Sequence, residues 1–333
     1  MSLLLLLAAG GTFVFATGDD AGVLIAGQIL SGVGCSAAFV GGLATIGRWF
    51  PRERFGVMAA WLSAAGGIGP ILSGTPFAAL VEAIGWRDAW RVGGIALALT
   101  ALAIAAFVRD APAGHPLGAR PPERLRETMK GFGPILAKRQ VWGIIALSFS
   151  AFSVQIAVRG LWGGPYLADI LGFDAIARGN VLLAMSVANT LGAIAYGWLV
   201  GRGVTGVALI LSGSSIVIVA YAFFALLPSQ GGGATALLFV LVGLSGPYTI
   251  LLLAHVRALF PDHLTGRAIT TVNVANFLGV SVMQIVPGWI LGAFPATAGH
   301  PPEAAYRTMF GVLAAVLAVA LVIFLRWGAR ERK

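Results

Sequence analysis

The sequence predicts an all-α integral membrane protein of about ten transmembrane helices, four before and six after a polar linker. Three observations predict it. Hydrophobic residues make up 58% of the 333-residue chain and charged ones only 11%, where a soluble chain carries about 25% charged residues. Apolar stretches of roughly 17–25 residues, each enough for about 30 Å of hydrocarbon, recur from end to end. Basic residues gather in alternate loops, as they do in multi-pass proteins. A soluble fold has to turn its outside toward water, and this chain has too little polar surface for that. The mean hydropathy of +0.89 says the same.

The elements follow in order from charges, proline and glycine clusters and turn dipeptides. No charge occurs before Asp19, and the start lacks the basic region of a secretory signal, so 2–18 reads as a retained span. Asp19 and Asp20 separate it from 21–46. A loop from Arg48 to Arg54, carrying Pro51, leads to 56–81, and Arg87 and Asp88 precede 91–108. The segment 109–140 then holds Arg120, Arg124, Arg126, Lys130, Lys138 and Arg139 with several prolines, and reads as a linker. Six spans follow, at 141–167, 179–201, 205–227, 235–258, 268–293 and 304–325. The expected organisation is a four-helix N-terminal bundle over 1–108, the linker 109–140, and a six-helix C-terminal bundle over 141–333.

Charge gives the orientation. With the linker in the cytoplasm, 17 of the 22 Lys and Arg residues fall on the cytoplasmic side. Four fall opposite (Arg87, Arg91, Arg178 and Arg307), and Arg159 lies within a span. The C-terminus is then cytoplasmic. The sequence pI near 10.6 reflects this loop bias and does not call for nucleic acid. Arginine outnumbers lysine 19 to 3, which fits a GC-rich bacterial genome and hence an inner membrane. Cys35 is the single cysteine, so no disulfide framework or Cys-type metal site is expected. His115, His255, His263 and His300 show no ligand spacing, and there is no Walker loop for ATP coupling. No metal, no cofactor and no enzymatic cluster is expected.

An internal repeat organises the chain further. Arg48-Trp49-Phe50-Pro51 followed by Gly56 is matched by Phe260-Pro261 followed by Gly266, an offset of about 210 residues that also sets Gly69 on Gly279. Ala89-Trp90-Arg91 pairs with Ala305-Tyr306-Arg307, and Phe107 and Arg109 pair with Phe324 and Arg326. Spans one to four therefore pair with seven to ten, and five and six have no counterpart. Parallel-repeat logic places their partners roughly 65–70 residues before Met1, so the chain reads as cut at its N-terminus.

These features resemble the major facilitator superfamily of transporters, whose third through twelfth helices the chain would supply. Gln28-Ile29-Leu30-Ser31-Gly32-Val33-Gly34 resembles the fourth-helix motif, with Gln28 where an arginine normally stands. Gly69-Pro70 and Gly74 resemble the fifth-helix antiporter motif, with Ala65 and Ser73 replacing two glycines, so antiport is not inferred. Gly197-Trp198-Leu199-Val200-Gly201-Arg202 resembles the second-half gating loop, with Gly201 replacing the usual aspartate. The resemblance implies two bundles rocking about a central small-molecule site, coupling to a proton or ion gradient, and a monomer in the bilayer. It casts Gly32, Gly34, Gly69, Pro70, Gly74 and Gly279 as packing or hinge glycines and prolines, and Gly197 and Arg202 as gating residues.

Polar groups inside spans are costly and often functional. At 100° per residue Ser148, Gln155, Arg159, Trp162 and Tyr166 fall within about 60° of one another. Two readings of this stripe stand together. In one, Arg159 attracts an anionic group and Trp162 shapes a vestibule. In the other, Arg159 snorkels to the interface, with Trp162 and Tyr166 in the aromatic belt. Asn273, Asn276 and Gln284 form a second stripe, open to substrate contact or to helix–helix hydrogen bonding, with Asn273 read as structural. Asn189, Tyr248 and Gln28 complete the candidate substrate-binding set; Gln28 shares a face with Gly32 and Cys35. The expected function is secondary active transport of a small solute, such as an organic anion. Its rivals are a non-transporting membrane scaffold and an inactive remnant of a transporter.

Overall fold

The computed structural model describes residues 1–36, 38–109, 131–229, 231–296 and 299–329. Most of the expected linker 109–140, with His115, lies outside them, as does the basic tail from Arg330. The chain separates into two compact units, Met1–Pro121 and Pro122–Lys333. Among the described residues seven helices are long and apolar enough to cross a bilayer, and two shorter apolar helices precede them.

The first unit contains α1 (Ser2–Thr17), α2 (Ala21–Cys35), α3 (Ala38–Trp49), α4 (Arg52–Leu72) and α5 (Thr75–Phe107). Asp20 starts α2 by accepting from the backbone N–H groups of Gly22 (2.8 Å) and Val23 (3.1 Å), two of the donors that a helix start leaves unpaired. α1 and α2 cross with their backbones almost touching. A Cβ on Gly27 would stand 2.6 Å from the Phe15 nitrogen, and one on Gly34 would collide with Ala8 and Leu4. Small residues allow that approach where lipid supplies no hydrophobic drive between helices. Thr12 and Ser31 then meet across it at 3.3 Å. Arg87 of α5 closes the other end, donating to Asp19 at 2.8 Å and to the Gly18 carbonyl at 3.1 Å.

Two expected spans of this unit are divided. The span 21–46 breaks after Cys35, where the Ser36 hydroxyl takes the Val33 carbonyl at 2.7 Å. The span 56–81 breaks at Ser73 and Gly74. Pro70 has no N–H, Ser73 donates back to the Pro70 carbonyl at 2.8 Å, and Gly74 adopts a non-helical φ of −81° and ψ of −127°. Farther on, Gly85 at φ 80° interrupts α5 itself.

The second unit begins with a short turn, α6 (Gly133–Leu136), and then α7 (Arg139–Ala157), a π-turn (Val158–Trp162) and α8 (Gly163–Asp169), which run on as one span. It continues with α9 (Ala175–Gly201), α10 (Gly206–Leu226), α11 (Gly232–Ser245), α12 (Tyr248–Ala258), α13 (Asp262–Gly292) and α14 (Glu303–Ile323), the last extended by a second π-turn at Phe324–Gly328. α13 lies along α7, α9 along α11, and α10 along α14. Glycines again set the contacts: a Cβ on Gly192 would strike the Leu244 carbonyl, and one on Gly279 the Phe149 carbonyl. The core is aromatic where α8, α10, α11 and α14 meet, with Tyr166 ringed by Phe310 (5.2 Å), Tyr306 (5.5 Å) and Phe224 (5.6 Å).

Candidate functional site

The stripe drawn along α7 at 100° per residue does not stay on one face, because Val158–Trp162 is a π-turn. Such a turn takes in an extra residue, and everything beyond it rotates relative to an unbroken α-helix. Gln155, before the turn, is buried within the unit. Arg159, inside it, is half-buried, and no salt bridge among the described residues involves it. Its guanidinium lies within electrostatic reach of the Tyr221 hydroxyl. Trp162 donates from its indole nitrogen to the Gln284 carbonyl at 3.0 Å. Tyr166, past the turn, is buried in the aromatic core.

A second irregularity lies opposite Gln155. The expected span 235–258 is broken at Gly246 and Pro247, between α11 and α12. Pro247 brings no N–H, so the Gly243 carbonyl loses the donor that a continuous helix would supply. Two groups replace it, the Gly246 N–H at 3.0 Å and the Asn189 side-chain amide at 3.3 Å. Gly246 must be small, since a Cβ there would strike Gln155 Oε1 and stand 2.5 Å from Asn189 Nδ2. The buried Tyr248 hydroxyl lies beside Ser214 and Gln155, yet neither Tyr248 Oη nor Ser214 Oγ has a hydrogen bond of good geometry. Tyr221 donates to the Val154 carbonyl at 3.2 Å. The break therefore gathers Gln155 of the predicted α7 stripe and the separate candidates Asn189 and Tyr248, with Ser214 and Tyr221. Arg159 stands one turn beyond Gln155.

This arrangement offers hydroxyl and amide groups and one guanidinium. No metal-binding group of His, Cys, Asp and Glu occurs among the described residues. The remaining candidates lie elsewhere. Asn276 is buried on α13, one turn before Gly279, while Asn273 is exposed and Gln284 half-buried. Gln28 and Gly32 are exposed, and Gly34 is buried against α1. Gly69 is exposed and Pro70 half-buried within α4, while Gly74 is buried at the start of α5. Gly197 faces open space. Arg202 ends α9 with its guanidinium 3.9 Å from the Trp198 ring centroid, just before Gly203 turns the chain at φ 87°.

The family model of the Major Facilitator Superfamily matches residues 1–282. The chain belongs to the Major Facilitator Superfamily. It is a multi-pass, all-α membrane protein of a transporter family. Its fold is similar to that of a bacterial homolog of the human lysosomal transporter Spinster, with a TM-score of 0.71 at 16% identity over 99% of this chain and 84% of that one. A nucleoside transporter gives a TM-score of 0.71 at 15% identity, covering 98% and 82%. A D-xylose–proton symporter gives 0.66 at 16%, covering 97% and 80%. At these identities the likeness is one of fold. In sequence the superfamily member is similar to monocarboxylate transporter 11 of Mus musculus, 29% identical over 178 residues. That stretch is 53% of this chain and 38% of the length of the curated relative.

Sequence reasoning passed over three parts of the site in this superfamily member: Gly246-Pro247, Ser214 and Tyr221. The proline was a readable signal, since a proline inside an apolar run frees a carbonyl and marks a kink. Ser214 and Tyr221 carry no signal of their own. A lone serine or tyrosine in an apolar span becomes informative only when its neighbours on other helices are known.

Proposed function

We propose that the protein is a secondary active transporter that moves a small organic anion by alternating access, coupled to a proton or another ion gradient. One observation carries this reading: Arg159 is a half-buried guanidinium within a membrane span, outside every salt bridge of the described residues. Such a charge is costly to keep in a bilayer, and a substrate carboxylate would offset the cost and match the planar fork of N–H donors. Gln155, Asn189, Tyr248 and Ser214 supply neutral donors and acceptors nearby for the rest of the solute. The name of the curated relative, a monocarboxylate transporter, supports the same class of solute. The distribution of basic residues supports a cytoplasmic C-terminus, and the arginine-rich composition supports a bacterial inner membrane.

The test is uptake of labelled short monocarboxylates by the purified protein in liposomes, with and without an imposed proton gradient. Arg159→Gln raises KM by about tenfold or more, the loss of a charge-assisted bond, and Arg159→Lys recovers part of it. Unchanged kinetics in Arg159→Gln would assign the arginine to the membrane interface and remove the anion from the proposal.

A further inference from the structure

At the end of the second unit where α7 begins and the span of α14 ends, two helices meet almost backbone to backbone. A Cβ on Gly143 would stand 2.6 Å from the Gly328 nitrogen. His255 Nε2 pairs with the Gly328 carbonyl at 2.8 Å and fixes the same residue from a third helix. The contact places Arg139, one turn before Gly143, beside Arg326 and Trp327 in the closing π-turn. These three side chains and Gln140 line one cavity of about 310 Å³. The Arg139 guanidinium lies 4.7 Å from the Trp327 ring centroid, and both arginines are exposed.

From this geometry we infer a binding site for the phosphate headgroup of an anionic glycerophospholipid, held between Arg139 and Arg326 against Trp327. The spans Arg139–Asp169 and Glu303–Gly328 both terminate at the cavity, so it sits at the boundary between hydrocarbon and headgroups. Two guanidiniums on one small cavity repel each other, and a phosphate diester between them relieves that repulsion while accepting from both. Tryptophan belongs at this depth, with its ring in the acyl boundary and its N–H toward water. Trp142, one turn along α7, is also exposed there and donates to the Leu136 carbonyl at 2.9 Å. No acidic side chain among the described residues pairs with either arginine. Lys138, the adjacent cation, is turned away and donates to the Leu259 carbonyl at 2.7 Å. A basic pocket between span ends is the expected form of anionic-lipid recognition.

Native mass spectrometry of the full chain, released from detergent with defined lipid, tests the site. Phosphatidylglycerol is expected to stay bound where phosphatidylcholine of the same chains dissociates. Arg139→Gln and Arg326→Gln each weaken phosphatidylglycerol binding by about fivefold, the worth of one cation near a membrane surface, and together by about 25-fold. Arg178→Gln, at the start of α9, leaves it unchanged. Equal retention of the two lipids by the unaltered protein overturns the inference without any variant. Displacement of the lipid by millimolar inorganic phosphate overturns it too, since the cavity would then be a site for free anions.

Discussion

The side-chain amide of Asn189 on α9 donates to the Gly243 carbonyl on α11 at 3.3 Å, and this is the carbonyl that Pro247 deprives of its helical partner. Helix and helix break are thereby joined by one side chain. Asn189→Ala removes the donor and is expected to cost about 1 kcal/mol of stability, the net worth of a hydrogen bond. Pro247→Ala restores a backbone N–H, so Asn189→Ala in that background costs less. A double-mutant cycle on thermal unfolding of the purified protein measures the difference. Additive costs would mean that Asn189 acts independently of the break.

The glycines divide by what surrounds them. Gly279 faces the Phe149 carbonyl, and a Cβ there would overlap it, whereas Gly197 faces open space on α9. Gly279→Val forces α7 and α13 apart and is expected to cost about 3 kcal/mol or more, at the upper end of overpacking changes. Gly197→Ala gains about 0.5–1 kcal/mol, since alanine is the better helix former and meets no neighbour. Melting temperatures of the two variants, compared in one detergent, are expected to move in opposite directions.

Much of this architecture is legible in the sequence because it rests on composition. Apolar length and the alternation of basic loops report the membrane directly, and the offset between Gly69 and Gly279 marks a glycine with close packing in the second unit. Gln155, Asn189 and Tyr248 were legible as polar residues in apolar runs. Their convergence was not, since it depends on a helix break that hydropathy cannot register: Ser245-Gly246-Pro247 is apolar enough to pass as span. The π-turn was hidden for a related reason. A 100° helical wheel assumes an unbroken hydrogen-bond ladder, and one extra residue at Val158–Trp162 sends Tyr166 into the aromatic core instead of along the face of Arg159.

Trp162 ties that π-turn to α13 through an acceptor that is backbone, the Gln284 carbonyl at 3.0 Å. Pro287 of α13 has no N–H for the Met283 carbonyl, so the helix ladder is already interrupted one residue before the Gln284 carbonyl that Trp162 reaches. Trp162→Phe keeps most of the ring volume and loses the N–H, for a cost of about 1 kcal/mol. Gln284→Ala leaves the bond intact and is expected to hold stability within about 0.5 kcal/mol. Denaturation of both variants separates the backbone role of Gln284 from any side-chain role, which would show only in uptake.

The far end of the same span is closed by Asp169, which accepts from the Tyr306 hydroxyl at 2.6 Å on one oxygen and faces His300 Nδ1 at 3.2 Å on the other. The two contacts differ both in distance and in surroundings. Tyr306 is buried and its ring packs on Tyr166 at 5.5 Å, whereas the His300 side chain is 64% exposed. Tyr306→Phe preserves the ring contact and strips one acceptor bond from a largely buried carboxylate, for about 1–3 kcal/mol. His300→Ala removes a solvent-exposed pair worth about 1 kcal/mol at most. Thermal unfolding is expected to rank Tyr306→Phe as clearly the more damaging. The reverse order would mean that the loop carrying His300, and not the Tyr306 bond, holds the end of α8 in place.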